Sequence, residues 1–240
     1  MPGCTGQSVI FFPDNYVCID IETTGLSYNT EEIIELSAVK VENGSAISEY
    51  SVLINPLKHI PSKVSKLTGI TDDMVMDADV IEKVMGSFIE FVGDLPIIGH
   101  NIASFDMPFI SAAAQRAKCT ISNDYIDTLR LAKKTLSLES YSLENLSEYY
   151  NVSYEGAHRA LRDCYITFEC FEKLKADAEE SSGVLDFGKD TGDRFGCCDL
   201  YVQCSDAKKC LHRDQSYARN CWYRVNLESG HIFYGVNKNS

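Results

Sequence analysis

The chain has 240 residues, 45% of them hydrophobic, and a formal net charge of −13, which suits one globular domain with a small appendage. No apolar run reaches the roughly 18 residues that a bilayer span needs. The N-terminal sequence MPGCTGQSVIFFPDN lacks the pattern of a secretory signal, so a cytoplasmic location is expected. Residues 194–240 carry a net charge of +3 and residues 1–193 carry −16, so the acidic body needs cation-holding carboxylates to bind a polyanion.

The stretch VCIDIETTGL, residues 17–26, predicts a buried strand. Apolar residues occupy both odd and even positions around it, which indicates a strand covered on both faces. Asp20 and Glu22 are two positions apart and therefore project from the same face. Buried charge is costly unless a positive group lies beside it, so these two acids predict a cationic partner.

The next elements form an antiparallel start and then become helical. Apolar-rich runs predict strands at about 33–42 and 45–54, and Asn43-Gly44 between them predicts a hairpin turn. The segment PSKVSKLTGITDDMV is expected to be loop and short helix. Helical spacing predicts a helix over residues 78–92, with one apolar face. That face is expected to contain Val80, Ile81, Val84, Phe88 and Phe91.

The second half of the body alternates short strands with helices. LPIIGHN predicts a short buried strand, and Ser104 is the expected N-cap of a helix running to about Lys118. Further elements are a strand turning helical in YIDTLRLAKKTL, a helix over 142–150 and a final helix over 158–178. The order βββαβαβαα predicts a mixed sheet with helices packed on it. The expected domains are 1–178, a linker at 179–192 and a Cys-rich module at 193–240.

Acids from separate segments are expected to converge. Asp106 lies in the first turn of a predicted helix, and Asp163 lies inside the last helix, whose entry holds His158. With Asp20 and Glu22 they form the all-oxygen ligand set that Mg²⁺ or Mn²⁺ prefers. Two such ions about 4 Å apart clamp the attacking and leaving oxygens of a phosphodiester displacement, and a histidine is the natural base for the water.

Each of these residues has an ordinary structural explanation when taken alone. Asp20 and Glu22 suit a strand-end charge pair, Asp106 suits a helix N-terminus, and His158 suits a helix surface. The ordered combination of strand, strand-to-helix and helix contexts favours the catalytic interpretation over these alternatives.

The segments IDIETTGL, GHNIASFD and HRALRD resemble the three exonuclease motifs of the DEDDh 3′→5′ exonucleases. That family includes bacterial proofreading exonuclease subunits and RNase T, and it has an RNase H-like α/β fold. The resemblance covers about residues 14–176. It implies that Asp20, Glu22, Asp106 and Asp163 are metal ligands and that His158 is the general base.

The resemblance also implies a groove for the terminal nucleotide. Residues Thr23 to Leu26, with Gly25 between them, would contact that nucleotide, and Leu26 would wedge against its base. The implied groove is further lined by His100, Asn101 and Phe105. Thr68 is a departure, because some proofreading subunits carry His there, and this weakens any implied substrate contact at that position.

The C-terminal module concentrates five of the ten cysteines. Cys198, Cys204, Cys210 and Cys221 are candidate ligands of a structural Zn²⁺, which would stabilise a segment too short to bury much surface. Cys197 and His212 are substitute ligands, and unliganded thiols or disulfides remain alternatives. Basic residues interleaved with aromatic ones suit single-stranded nucleic acid, although a solvated basic face fits the same pattern.

The sequence therefore predicts a metal-dependent 3′→5′ exonuclease that uses two Mg²⁺ or Mn²⁺ ions and releases nucleoside 5′-monophosphates. DNA is the favoured substrate, with a polymerase or repair factor as a possible partner. An RNA-trimming enzyme is the first alternative, since the shared active site does not decide the sugar. The second is a non-catalytic nucleic-acid-binding module on the same fold.

Overall fold

The computed structural model describes residues 3–4 and 6–181. The candidate site lies in a compact unit formed by residues 3–4, 6–8 and 14–174, and the described residues 9–13 and 175–181 belong to a second unit. The predicted Cys-rich module, including its candidate zinc ligands, lies outside the described residues and stays a prediction.

The described chain contains eight strands and seven helices. The strands are β1 Gly3–Cys4, β2 Ser8–Val9, β3 Asn15–Thr23, β4 Ile33–Glu42, β5 Ser45–Leu53, β6 Ile97–Gly99, β7 Thr120–Ile121 and β8 Tyr125–Asp127. The helices are α1 Ser62–Thr68, α2 Asp72–Val75, α3 Ile81–Val92, α4 Asp106–Arg116, α5 Thr128–Thr135, α6 Leu143–Tyr149 and α7 Ala160–Ser181.

Six strands form one sheet in the order β2-β8-β6-β3-β4-β5, which places β3 in its interior. β3 and β5 both run antiparallel to β4, whereas β6 runs parallel to β3 and to β8. The turn between β4 and β5 has positive φ at Asn43 (49°) and Gly44 (71°), the conformation that an Asn-Gly hairpin favours. The predicted mixed sheet flanked by helices and the predicted hairpin are both confirmed.

Both faces of β3 are covered, as its composition predicts. One face packs against α3 and α4 in the main core, which buries Val17, Ile19 and Ile21. On the other face the Tyr16 ring meets the Phe171 ring of α7 edge-on at 5.0 Å. The carboxylates that β3 carries on this second face, Asp20 and Glu22, are therefore half-buried, and this partial exclusion of water sets the electrostatics of the site.

Three helix starts differ from the sequence expectation. α4 begins at Asp106 with Phe105 as its N-cap, so the predicted capping role of Ser104 is wrong. This start places Pro108 at the third helical position, where its missing N–H has no intrahelical partner to lose. α3 begins at Ile81 and not near residue 78, and α7 begins at Ala160 because His158 has a non-helical φ of 66°.

Other elements vary in how well the sequence predicted them. The predicted helix over 142–150 is present as α6, and Ser142 caps it, because its hydroxyl accepts the N–H of Asn145. The segment after β5 contains two short helices, α1 and α2, and the two-residue strands β1, β2 and β7 were not predicted. Among the described residues, no helix is both long enough and apolar enough to cross a bilayer.

Candidate active site

Three acids meet where the end of β3 faces the first turn of α7. One carboxylate oxygen each from Asp20, Glu22 and Asp163 lie within 4.8 Å of one another. Asp20 and Glu22 share a face of β3, and Asp163 lies more than 140 positions later in the chain, on α7. The sequence-predicted convergence of these three residues is thus present in the fold.

Asp106 approaches this cluster from the start of α4, although its oxygens are not among the three that lie within 4.8 Å of one another. It is 3% exposed, and its charge is the strongest like-charge influence on Asp20. Burial raises the pKa of Asp106 to about 8, although backbone hydrogen bonds at Asp106 and Ile21 act in the opposite direction. The predicted acids therefore form one electrostatic unit, in which Asp106 is the most enclosed member.

The pKa values of the other three acids are raised as well. Burial, followed by repulsion from Asp106, Asp163 and Glu22, holds the pKa of Asp20 well above its usual value. Burial and the charge of Asp163 raise the pKa of Glu22 to about 8. Burial also raises the pKa of Asp163, against the lowering effect of the His158 backbone hydrogen bond. A cluster in which every carboxylate resists ionisation is stabilised by any cation that enters it.

One oxygen in this cluster has no hydrogen-bond partner among the described residues. Asp163 Oδ1 is buried and makes no hydrogen bond, whereas Oδ2 accepts the His158 backbone N–H at 3.1 Å. A buried acceptor without a partner is rare and calls for an unseen ligand. The donors are carboxylate oxygens alone, which suits a hard divalent cation such as Mg²⁺ or Mn²⁺.

His158 lies next to this cluster on the loop before α7. Its φ of 66° is left-handed, and its side chain is exposed. The ring meets the Tyr154 ring edge-on, with centroids 6.1 Å apart. Its charge also lowers the pKa of Asp163, which indicates that the imidazole and the carboxylate are close.

The loop after β3 is tightly held except at one residue. The Thr23 hydroxyl donates to the Gly25 carbonyl at 2.6 Å, and the Thr24 hydroxyl donates to Glu31 at 2.6 Å. A Cβ on Gly25 would lie 2.9 Å from the Glu31 side chain, so a larger residue there would require that side chain to move away. Leu26 is 87% exposed, which leaves an apolar side chain standing in solvent at the edge of the site.

The other residues of the implied groove have mixed surroundings. Both ring nitrogens of His100 have partners inside the protein, the Thr128 hydroxyl and the Tyr141 carbonyl, each at 2.9 Å. The Asn101 N–H donates to the buried carboxylate of Asp127 at 3.0 Å. Phe105 is half-buried against Phe109, with ring centroids 5.3 Å apart. The hydroxyl of Thr68 donates to the Val64 carbonyl and accepts the Ile70 N–H, so it is occupied within its own helix and the next turn.

The sequence profile described as RNase T exonuclease matches residues 17–171, which contain every member of the acidic cluster. The chain belongs to the RNase T exonuclease family. A DNA polymerase III subunit epsilon of Aquifex aeolicus is 36% identical over 174 residues, covering 72% of this chain and 86% of that protein. A PolC-type DNA polymerase III of Caldanaerobacter subterraneus subsp. tengcongensis is 38% identical over 181 residues, covering 75% of this chain. The chain spans only 13% of that polymerase.

Solved structures of other exonucleases have the same fold as this chain. Exonuclease X, in complex with 5′ overhanging duplex DNA, has a TM-score of 0.56 and 27% identity, covering 68% of this chain and 93% of that one. E. coli exonuclease I in complex with a dT13 oligonucleotide has a TM-score of 0.63, covering 74% of this chain and 44% of that one. Its 17% identity limits that likeness to the fold.

Two features of this exonuclease site were not predicted from the sequence. Tyr154 lies beside the acids as well as beside His158, and burial together with the charge of Asp163 raises its pKa to about 12. Glu35 of β4 is 2% exposed and pairs with Arg159. Glu35 had a usable signal, since an acid amid the apolar run of IIELSAV raises the same question of buried charge as Asp20 does.

Proposed function

We propose that the chain is a metal-dependent 3′→5′ exonuclease that removes nucleoside 5′-monophosphates from nucleic-acid strands, with DNA favoured over RNA. The observation that supports it most directly is the meeting of carboxylate oxygens of Asp20, Glu22 and Asp163 within 4.8 Å. Asp163 Oδ1 is buried there and has no hydrogen-bond partner in the part of the chain that the structure describes. Members of this exonuclease family generally use divalent metals, and this oxygen-only cluster suits them.

The residues that would hold the cations are Asp20, Glu22, Asp106 and Asp163. Two divalent cations bound there would neutralise charge on the attacking and leaving oxygens of the phosphodiester. An imidazole nitrogen of His158 would accept the proton of the attacking water, since histidine is the side chain whose pKa lies closest to neutral. The exposed position of His158 suits this role, because water and a strand end can both reach the ring.

The loop after β3 would bind the terminal nucleotide. Thr23 and Gly25 fix the loop by their hydrogen bond, and Leu26 is presented to solvent where a base would stack against it. Phe105 and the Asn101 backbone would form the neighbouring wall. His100 would support that wall from inside the protein. Its two hydrogen bonds hold the ring between α5 and the segment before α6.

The proposed preference for DNA rests on the proteins to which this chain is similar. The curated relatives are DNA polymerase III proteins, and exonuclease X and exonuclease I have been seen with DNA. The same relatives make a replicative polymerase a reasonable partner to test. RNA trimming stays the alternative, since the described site contains no contact that discriminates the sugar.

The test is digestion of single strands labelled at either end, as matched DNA and RNA oligonucleotides, with and without Mg²⁺. We expect Mg²⁺-dependent shortening from the 3′ end, faster on DNA. We expect no detectable shortening for Asp20→Ala, and a loss of about 10²- to 10⁴-fold for His158→Ala, the range for removal of a general base. His59→Ala changes another exposed histidine, one that pairs with Asp72, and serves as the matched control. Unimpaired digestion by Asp20→Ala would contradict the proposed metal site.

A further inference from the structure

Glu35 is a buried carboxylate whose position on a central strand destabilises the fold. It lies on β4 directly opposite Glu22 of β3, and it is 2% exposed. Its charge adds to the repulsion that raises the pKa values of Asp20, Glu22 and Asp163. An apolar residue would fill a central strand at lower cost, so the position of Glu35 needs another explanation.

Within the described part of the chain, Glu35 accepts its hydrogen bonds from two consecutive residues, Arg159 at the end of the loop and Ala160 at the start of α7. Arg159 Nε donates to Oε1 at 3.2 Å and to Oε2 at 3.1 Å, and Arg159 Nη2 donates to Oε1 at 2.6 Å. The Ala160 backbone N–H donates to Oε2 at 2.9 Å. We call this arrangement of Glu35 with Arg159 and Ala160 the Glu35 clamp.

The clamp fixes the chain on one side of His158. Ala160 is the first residue of α7, so Glu35 caps a free helical N–H from a strand 125 positions away. On the other side, the His158 N–H donates to Asp163 Oδ2 at 3.1 Å. His158 between them keeps a left-handed φ of 66°, a conformation that is unfavourable for a non-glycine residue and persists only where neighbours enforce it.

We propose that Glu35 and Arg159 are positioning residues of the nuclease, holding the His158 backbone so that its ring stands over the acidic cluster. The proposal rests on the proposed function, because it assigns His158 as the base. Both Glu35 oxygens accept hydrogen bonds from donors, so the NH₂ group of a glutamine would face a donor in either orientation. Lysine cannot replace Arg159, because an ammonium group lacks the planar fork that engages both oxygens.

The first experiment separates positioning from simple stabilisation. For Glu35→Gln and Arg159→Lys we expect kcat to fall about 10- to 100-fold with KM changed less than threefold, since displacement of a catalytic group by about 1 Å costs this much. Arg159→Met strands a buried carboxylate, and we expect Tm to fall by about 10 °C. Adding Glu35→Met to Arg159→Met removes that stranded charge, so Tm should recover while kcat stays low. Recovery of kcat together with Tm would overturn the positioning role, as would a wild-type kcat for Glu35→Gln.

The second experiment needs no catalysis. Backbone hydrogen exchange of the segment 157–163 in the free protein should be faster in Glu35→Gln than in wild type. Unchanged exchange would contradict the clamp even if the enzyme proved active. If wild type cleaves no nucleic acid, the proposed function fails, and the exchange result still decides whether the clamp holds the loop.

The matched control is Arg116→Met. Arg116 is 39% exposed against 45% for Arg159, and it too bonds carboxylates, those of Glu32 and Glu82. It lies at the far end of α4 from Asp106. We expect its removal to leave kcat within twofold of wild type and the exchange of 157–163 unchanged. An equal loss of kcat in Arg116→Met would show that any lost arginine pair disturbs the enzyme, and the specific role of the clamp would be refuted.

Discussion

Replacing Asp20 by asparagine should abolish activity and yet stabilise the metal-free protein. Asp20 experiences repulsion from Asp106, Asp163, Glu22 and Glu35, so neutralising it relieves several unfavourable pairs at once. The side chain keeps its size, and its new N–H groups can donate to neighbouring carboxylates. Stability and activity therefore change in opposite directions.

The size of the effect follows from the spacing of the oxygens. Two unit charges 4.8 Å apart repel by about 3 kcal/mol at an effective dielectric constant of about 20. Retained protons and solvent relieve part of this, so we expect a gain of about 1–3 kcal/mol at pH 8 in EDTA. For a chain of this size the gain corresponds to a rise in Tm of about 3–10 °C.

The assay is thermal denaturation of wild type and Asp20→Asn at pH 8, in EDTA and in Mg²⁺, beside digestion of a labelled oligonucleotide. Mg²⁺ should raise the Tm of wild type much more than that of Asp20→Asn. Asp73→Asn removes an exposed carboxylate on α2 and should shift Tm by less than about 2 °C. A Tm for Asp20→Asn below that of wild type in EDTA would refute the electrostatic account of the cluster.

Three further outcomes follow from the described geometry. The pKa of Glu22 is raised from 4.5 to about 8, so the folded metal-free protein retains a proton that the unfolded chain loses between these pH values. Thermal scans in EDTA should therefore show the free energy of unfolding falling from about pH 4.5 to about pH 8 and levelling above. Added Mg²⁺ should reverse this loss. Tyr154→Phe keeps the ring beside His158 and should retain kcat within about threefold, whereas Tyr154→Ala should lower kcat about tenfold in steady-state kinetics. Equal losses of kcat in the two variants would show that the hydroxyl matters and not the ring. Leu26→Ala should raise KM for single strands about five- to tenfold, the cost of a lost apolar contact, while Leu57→Ala, a similarly exposed leucine, should not.

The parts of the site that were predictable from sequence are those encoded by local spacing. Asp20 and Glu22 share a face because they are two apart on a strand, and Asp106 starts a helix because a strand end and turn precede it. The pairing of Glu35 with Arg159 joins residues 124 positions apart, and no local pattern specifies which donor a buried acid will meet. α4 starts one residue later than a Ser104 cap would place it, because this start puts Pro108 at the third helical position, where no intrahelical hydrogen bond is lost.

Short elements and long-range register account for the remaining differences. β1 and β7 are two residues each and form a parallel pair across more than 110 positions, so neither has a periodicity to detect. The positive φ of His158 follows from its hydrogen-bonded neighbours and not from its own preference.

Asp163 has a divided role that links two events in this enzyme. Its Oδ2 is committed to the His158 backbone, and its Oδ1 is the buried atom open to a cation. Under the proposed function, a cation bound at Oδ1 would orient the whole carboxylate and so act on the loop that carries His158. Cation binding and the placement of His158 would then be thermodynamically coupled, and each would change the other by the same factor.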